Sequence, residues 1–110
     1  MNELAQLFEK YYGCKPTVIS RAPGRLEILG NHTDYNEGFV LSAATEQATS
    51  MAAAPCEGNI CTLRDTALEG KVFTIDLTDL DHPAKGDWTN YLKGVLTELR
   101  QRGKKFGAFN

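Results

Sequence analysis

The spacing of apolar positions changes along this chain, and each change marks a different element. Leu4, Leu7, Phe8 and Tyr11 recur at helical intervals, which places them on one face of a helix over residues 3–12. Asn2 can cap its start and Gly13 can end it. Residues 17–20 form a short β-branched run that reads as a strand. Pro23-Gly24 is expected to break it, with a second extended piece at 26–29. Residues 30–38 are polar and rich in turn formers and read as a loop. Apolar and small residues return at 39–54, with a strand near 45–54 that Pro55 ends and Glu57-Gly58-Asn59 turns. Residues 59–64 and 72–76 read as two further strands, joined by a turn around Glu69-Gly70.

The second helix has the clearest pattern. Trp88, Tyr91, Leu92, Val95, Leu96 and Leu99 make an apolar stripe, Asp87 stands where an N-cap belongs, and Gly103 follows the last turn. Arg100 and Arg102 lie where the helix dipole favours cations. Gly94, inside this helix, costs about 1 kcal/mol relative to alanine. It marks either a close approach to the backbone or a tolerated cost. Helix, several strands, helix is the pattern of an α+β domain. Residues 106–110 read as the start of another strand, and an open strand at the end of the chain points to a segment of a longer domain.

Composition narrows the classes. The chain has 110 residues, enough for one domain, and a net charge of −2, which argues against nucleic acid or an anionic membrane as the main partner. No apolar run approaches the ~20 residues of a membrane span, and the polar, acidic start does not read as a secretory signal. Three cysteines, Cys14, Cys56 and Cys61, leave one unpaired in any disulfide scheme, so a reducing, cytoplasmic setting is expected. Cys56 and Cys61 read as buried or edge-strand thiols rather than metal ligands, because structural zinc needs four donors. No metal site is expected in the chain.

The candidate chemistry lies between Arg21 and Leu41, where RAPGRLEILGNHTDYNEGFVL packs arginines, a histidine, an aspartate and glycines between apolar flanks. Such a run fits a small polar ligand. A carboxylate at Asp34 can accept from two neighbouring hydroxyls, His32 can donate or accept from either ring nitrogen, and the glycines let the backbone pass close by. The competing reading is an Asx-turn in which Asp34 and Asn36 bond their own backbone. Arg25, between two extended pieces, is either an ion-pair partner or a group for phosphate and oxyanion charge. Arg21 reads as structural.

Pro23-Gly24-Arg25, Leu29-Gly30, His32-Thr33-Asp34-Tyr35-Asn36 and Gly38, in this order and spacing, closely resemble the galactokinase signature of the GHMP kinases. Trp88-Thr89-Asn90-Tyr91-Leu92-Lys93-Gly94-Val95 is similar to a second galactokinase run. The resemblance implies the N-terminal part of a GHMP-kinase (ribosomal protein S5 domain 2-like) domain, a mixed sheet with helices on one side. Residues 1–110 would be its sugar-binding segment, incomplete and stopping before the phosphate loop. It implies Arg25 at the catalytic centre, His32, Asp34 and the residue at position 31 on the sugar, and Trp88 and Tyr91 near the nucleotide, although those two aromatics also fit the core stripe. The complete enzyme would transfer the γ-phosphoryl of ATP, with Mg2+, to the anomeric hydroxyl of a galactose-type sugar. The main ligands of ATP and Mg2+ would lie downstream, so the chain alone is expected to be inactive, with the remainder of the kinase fold as its partner. A catalytically inactive sugar sensor on the same scaffold is the alternative.

The sequence departs from that pattern at Asn31, where galactokinases usually carry glutamate. The exchange keeps hydrogen bonding and removes a charge, which implies weaker grip on galactose and relief of repulsion for a sugar with a carboxylate there, such as galacturonate. Glu27 and Ser42 also depart, from asparagine and proline, and nothing in the sequence explains either.

Overall fold

The computed structural model describes residues 2–30, 32–68 and 70–110, the side chain of Asp34 excepted. The elements are α1 (Asn2–Tyr12), β1 (Val18–Leu29), β2 (Leu41–Ala53), β3 (Ile60–Arg64), β4 (Val72–Asp76) and α2 (Thr89–Gln101), with short 3-10 turns at Asp34–Asn36 and Thr66–Leu68. The helices and the alternation of strands bear out the α+β class. The strands pair as two two-stranded sheets, β1 with β2 and β3 with β4. The chain divides into two units, Met1–Ala52 and Ala53–Asn110.

In the first unit, α1 ends as expected. Gly13 takes φ +71°, a region that suits a residue without a Cβ, and its N–H donates to the Glu9 carbonyl at 2.8 Å. The expected break at Pro23-Gly24 is not there: β1 runs unbroken through both residues for 12 positions. A two-stranded ribbon leaves one edge of each strand open, where a missing proline N–H costs no ladder bond. Gly24 has a packing role instead. A Cβ on it would come 2.8 Å from Thr45 Oγ1 and 3.4 Å from the Gln47 carbonyl. β2 begins at Leu41, ahead of the expected 45, because the small residues Ser42, Ala43 and Ala44 pair without a hydrophobic pattern to announce them. Leu26, Ile28, Leu29 and Leu41 stay more than half exposed on this ribbon.

The second unit has a built core. β3 and β4 pair antiparallel, with Cys61 opposite Ile75 and Leu63 opposite Phe73. Alternation along each strand turns these residues to one face. Cys61 and Ile75 are fully buried, and Leu77, Leu80, Leu96 and Ala108 join them, with Trp88, Leu92 and Phe106 packed against the cluster. Residues 54–56 meet the last residues of the chain. The N–H groups of Ala54 and Asn110 each donate to the other's carbonyl, at 3.0 and 2.9 Å, and Cys56 N–H donates to Ala108 at 2.9 Å. The extended pairing expected for 106–110 is present there.

α2 sorts its apolar stripe in two. Trp88, Leu92 and Leu96 turn to the core, whereas Tyr91, Val95 and Leu99 are exposed, Tyr91 by 84%. A Cβ on Gly94 would meet nothing within 4 Å, so no close approach among the described residues explains that glycine. Asp87, the expected cap, lies one position before the observed one. The helix is entered through Trp88, and the Asp87 carboxylate accepts the Thr89 N–H at 2.9 Å and the Thr89 hydroxyl at 2.8 Å. The C-terminus is a Schellman motif: Gly103 at φ +74° donates to the Arg100 carbonyl at 2.9 Å, and Lys104 to Leu99 at 3.0 Å. Arg100 donates to the Leu77 carbonyl at 2.8 Å, tying the helix to the end of β4. No helix among the described residues is long and apolar enough to cross a membrane.

Two tests follow from this packing. Leu96→Ala should lower stability by about 2–5 kcal/mol in urea unfolding, while Val95→Ala, one residue along and exposed, should stay within about 0.5 kcal/mol. The Thr89 hydrogen bonds hold the Asp87 carboxyl below its ordinary value of 3.8, and Thr78 does the same for Asp76. Depressed carboxylates stabilise the fold above their unfolded pKa, and that contribution disappears as pH falls through the folded value. Thermal melts should therefore decline as pH drops below about 4, and Asp87→Ala should flatten that decline; a slope unchanged by the substitution would contradict the assignment.

Candidate functional site

The loop between β1 and β2 closes on Thr33. Its hydroxyl lies 2.7 Å from the Gly30 carbonyl and 3.0 Å from the Phe39 carbonyl, so one side chain grips both ends of the loop. The backbone tightens the same closure: Thr33 N–H donates to Gly30 at 3.2 Å, and Gly38 N–H to Thr33 at 2.6 Å. Two glycines are required by this geometry. A Cβ on Gly30 would lie 2.7–2.8 Å from Phe39, Thr33 and Val40, and Gly30 also sits at φ +101°; a Cβ on Gly38 would lie 2.7 Å from the Thr33 Cβ.

Within this clasp, His32 takes φ +60°, a left-handed conformation that costs a non-glycine residue about 1–2 kcal/mol. Its neighbours hold it. Asn36 Nδ2 donates to the His32 carbonyl at 2.7 Å, and Tyr35 Oη is hydrogen-bonded to His32 Nδ1. The two rings meet edge-on, with centroids 5.7 Å apart and planes at 69°. Both partners come from the Asp34–Asn36 turn, which Glu37 ends at φ +60°. Asn36 does bond local backbone, though by donating to the carbonyl four residues back rather than through an Asx-turn, and this coexists with an exposed imidazole.

The other expected site residues fall as follows. Arg25 is exposed on β1 and makes no hydrogen bond or ion pair with the described residues. Arg21 is the structural arginine, donating from Nη2 to the Glu46 carbonyl of β2 at 2.7 Å. The backbone of Asp34 begins the 3-10 turn, whereas its side chain and the whole of Asn31 lie outside the described residues. Arg25, His32 and Asp34 thus belong to one unit, on one strand and the loop beyond it.

Trp88 and Tyr91 belong to the other unit. They line an open depression of about 610 Å³ together with Gly86, Asp87 and Asn90. Trp88 is shared between two environments: its ring packs edge-on against Phe73, with centroids 5.2 Å apart, yet its Nε1 is buried without a hydrogen-bond partner among the described residues. Tyr91 presents its ring to solvent, so the core reading of the stripe fails for it. Asn90 fixes the rim by pairing with both backbone groups of Ala84, at 2.6 and 3.1 Å.

Sequence reasoning missed Thr33, Tyr35 and Asn36 as site residues. The signal was available, since a loop with glycines at both ends must close on something, and Tyr35 and Asn36 stand three and four residues after His32.

Residues 6–55 match the family model described as the galactokinase galactose-binding signature, and the chain is similar to galactokinases along most of its length. Galactokinases of Roseiflexus sp. and Clostridium perfringens are 41% and 38% identical to it over 102 and 106 residues, which cover 92% and 96% of this chain and 25% and 27% of theirs. The chain therefore spans about a quarter of the length of these curated relatives. Among solved structures, Lactococcus lactis galactokinase complexed with galactose superposes with a TM-score of 0.83 at 26% identity, over 98% of this chain and 29% of that one.

The clasp makes a stability prediction. Gly30→Ala should destabilise by about 1–3 kcal/mol and displace the amide resonances of residues 30–40 while leaving β3 and β4 unmoved. Thr33→Val should give the same loop signature through loss of the hydroxyl alone.

Proposed function

We propose that this chain is the sugar-holding segment of a kinase that phosphorylates the anomeric hydroxyl of galactose or a related sugar at the expense of ATP. The observation that carries this reading is that the matched signature residues Arg25, His32 and Asp34 lie on one strand and one clasped loop, with the imidazole exposed and the guanidinium unengaged among the described residues. Asn31, His32 and Asp34 orient the sugar ring through its hydroxyls. Arg25 steadies the charge that spreads over the phosphoryl oxygens, since phosphoryl transfer depends on positioning and electrostatic stabilisation. Its planar fork suits that task better than an ammonium would.

Trp88 and Tyr91 contact the nucleotide. The depression that both aromatics line and the solvent-facing phenol ring support this assignment. ATP and Mg2+ take their main ligands from outside this chain, so a coupled kinase assay on the 110 residues alone should show no turnover. Three free cysteines fit a cytoplasmic enzyme.

Asn31 sets the sugar preference. In a complete kinase carrying this segment, Asn31→Glu should raise kcat/KM for galactose about tenfold and lower it for galacturonate by at least as much, because a neutral hydrogen bond becomes a charged one. An unchanged ratio would remove Asn31 from sugar selection. Arg25→Ala in the same enzyme should lower kcat about 100- to 1,000-fold with little change in KM; a loss confined to KM would place Arg25 in binding only.

A further inference from the structure

We propose that Tyr35 is a positioning residue for His32, fixing the rotamer and tautomer of the imidazole so that Nε2 is the nitrogen offered to a ligand. The inference rests on the reading of His32 as a sugar contact and adds a residue to which that reading gives no part.

The geometry supplies the argument. His32 is held at three points: its backbone at φ +60°, its carbonyl by Asn36 Nδ2, and its ring by the hydroxyl of Tyr35 on Nδ1. The first two fix where the side chain leaves the loop, and the third fixes how the ring is turned about that exit. A neutral imidazole has one N–H and one lone pair, and the partner of one nitrogen decides the state of the other. A phenol is a strong O–H donor and the imidazole lone pair a strong acceptor, so Tyr35 donates to Nδ1. The ring hydrogen then sits on Nε2, which has no hydrogen-bond partner among the described residues. His32 is thereby set as a donor toward a hydroxyl oxygen.

The edge-on contact of the rings also defines a clean variant. Tyr35→Phe keeps the aromatic edge and removes only the hydroxyl, so packing and positioning can be told apart.

The first test reads the imidazole nitrogens of the ¹⁵N-labelled chain by long-range ¹H–¹⁵N NMR. His82, which pairs with Asp79, serves as the internal control. Tyr35→Phe should move the His32 Nδ1 resonance toward that of an unbonded ring nitrogen and leave both His82 nitrogens in place. If the His32 nitrogens do not move, the proposal is wrong, whatever the sugar site does.

The second test is a double-mutant cycle of Tyr35→Phe and His32→Ala, read as the Kd for galactose from titration of the same spectra. Tyr35→Phe should weaken galactose about three- to tenfold when His32 is present and have no effect when it is absent. Equal weakening in both backgrounds would make Tyr35 an independent contact and overturn the proposal. Should His32→Ala leave galactose affinity untouched, the sugar reading of His32 fails, and the ring-nitrogen shifts alone decide the positioning claim.

Discussion

The loop that carries the candidate chemistry depends on one hydroxyl. Thr33 lies within hydrogen-bonding distance of carbonyls at both ends of the loop, and everything else in the loop is arranged around that grip. Gly30 and Gly38 are bare because the Thr33 side chain and its neighbours fill the space their Cβ atoms would need. With the ends pinned, the intervening residues are forced into a tight 3-10 turn, and that turn folds Tyr35 and Asn36 back onto His32. A left-handed histidine is tolerated only where its surroundings over-determine it. Here they do, through a hydrogen bond to its carbonyl and another to its ring.

The second unit obeys a different constraint, ordinary burial. Its core is a face of two antiparallel strands covered by one side of α2. That helix is apolar over a wider arc than the core can use. Tyr91, Val95 and Leu99 lie one helical turn apart on the uncovered part, beside a glycine whose Cβ position no other described residue approaches. The β1–β2 ribbon likewise keeps Leu26, Ile28, Leu29 and Leu41 in solvent. Part of the apolar surface in each unit is thus left uncovered by the chain's own described residues. It agrees in kind with a chain that spans about a quarter of the length of its relatives.

Periodicity was a good guide where burial follows it and a poor one where backbone proximity decides. The two helices, the glycine stops at Gly13 and Gly103, and β3 and β4 were legible because each is written in apolar spacing or in a conformation that glycine adopts most readily. The unbroken β1 was not, because Pro23-Gly24 reads locally as a breaker, and only the partner strand beside Gly24 explains the glycine. The start of β2 was hidden in a run of small residues with no alternation. At the site, residue types and order nominate Arg25, His32 and Asp34 as candidates, since their chemistry is local. The roles of Thr33, Tyr35 and Asn36 are relations between residues, set by loop closure, and such relations leave only a spacing in the sequence. The stripe of α2 failed at Tyr91 for a related reason: a sequence shows that a face is apolar and not how much of it the rest of the chain covers.

The central claim is that the clasped loop holds a sugar, and the most direct measurement is an amide chemical-shift map of the chain titrated with galactose. Saturable shifts confined to residues 25–38, lost in Asp34→Ala and kept in Tyr91→Ala, are the predicted result. A spectrum that does not respond to galactose, or shifts that persist unchanged in Asp34→Ala, would contradict it.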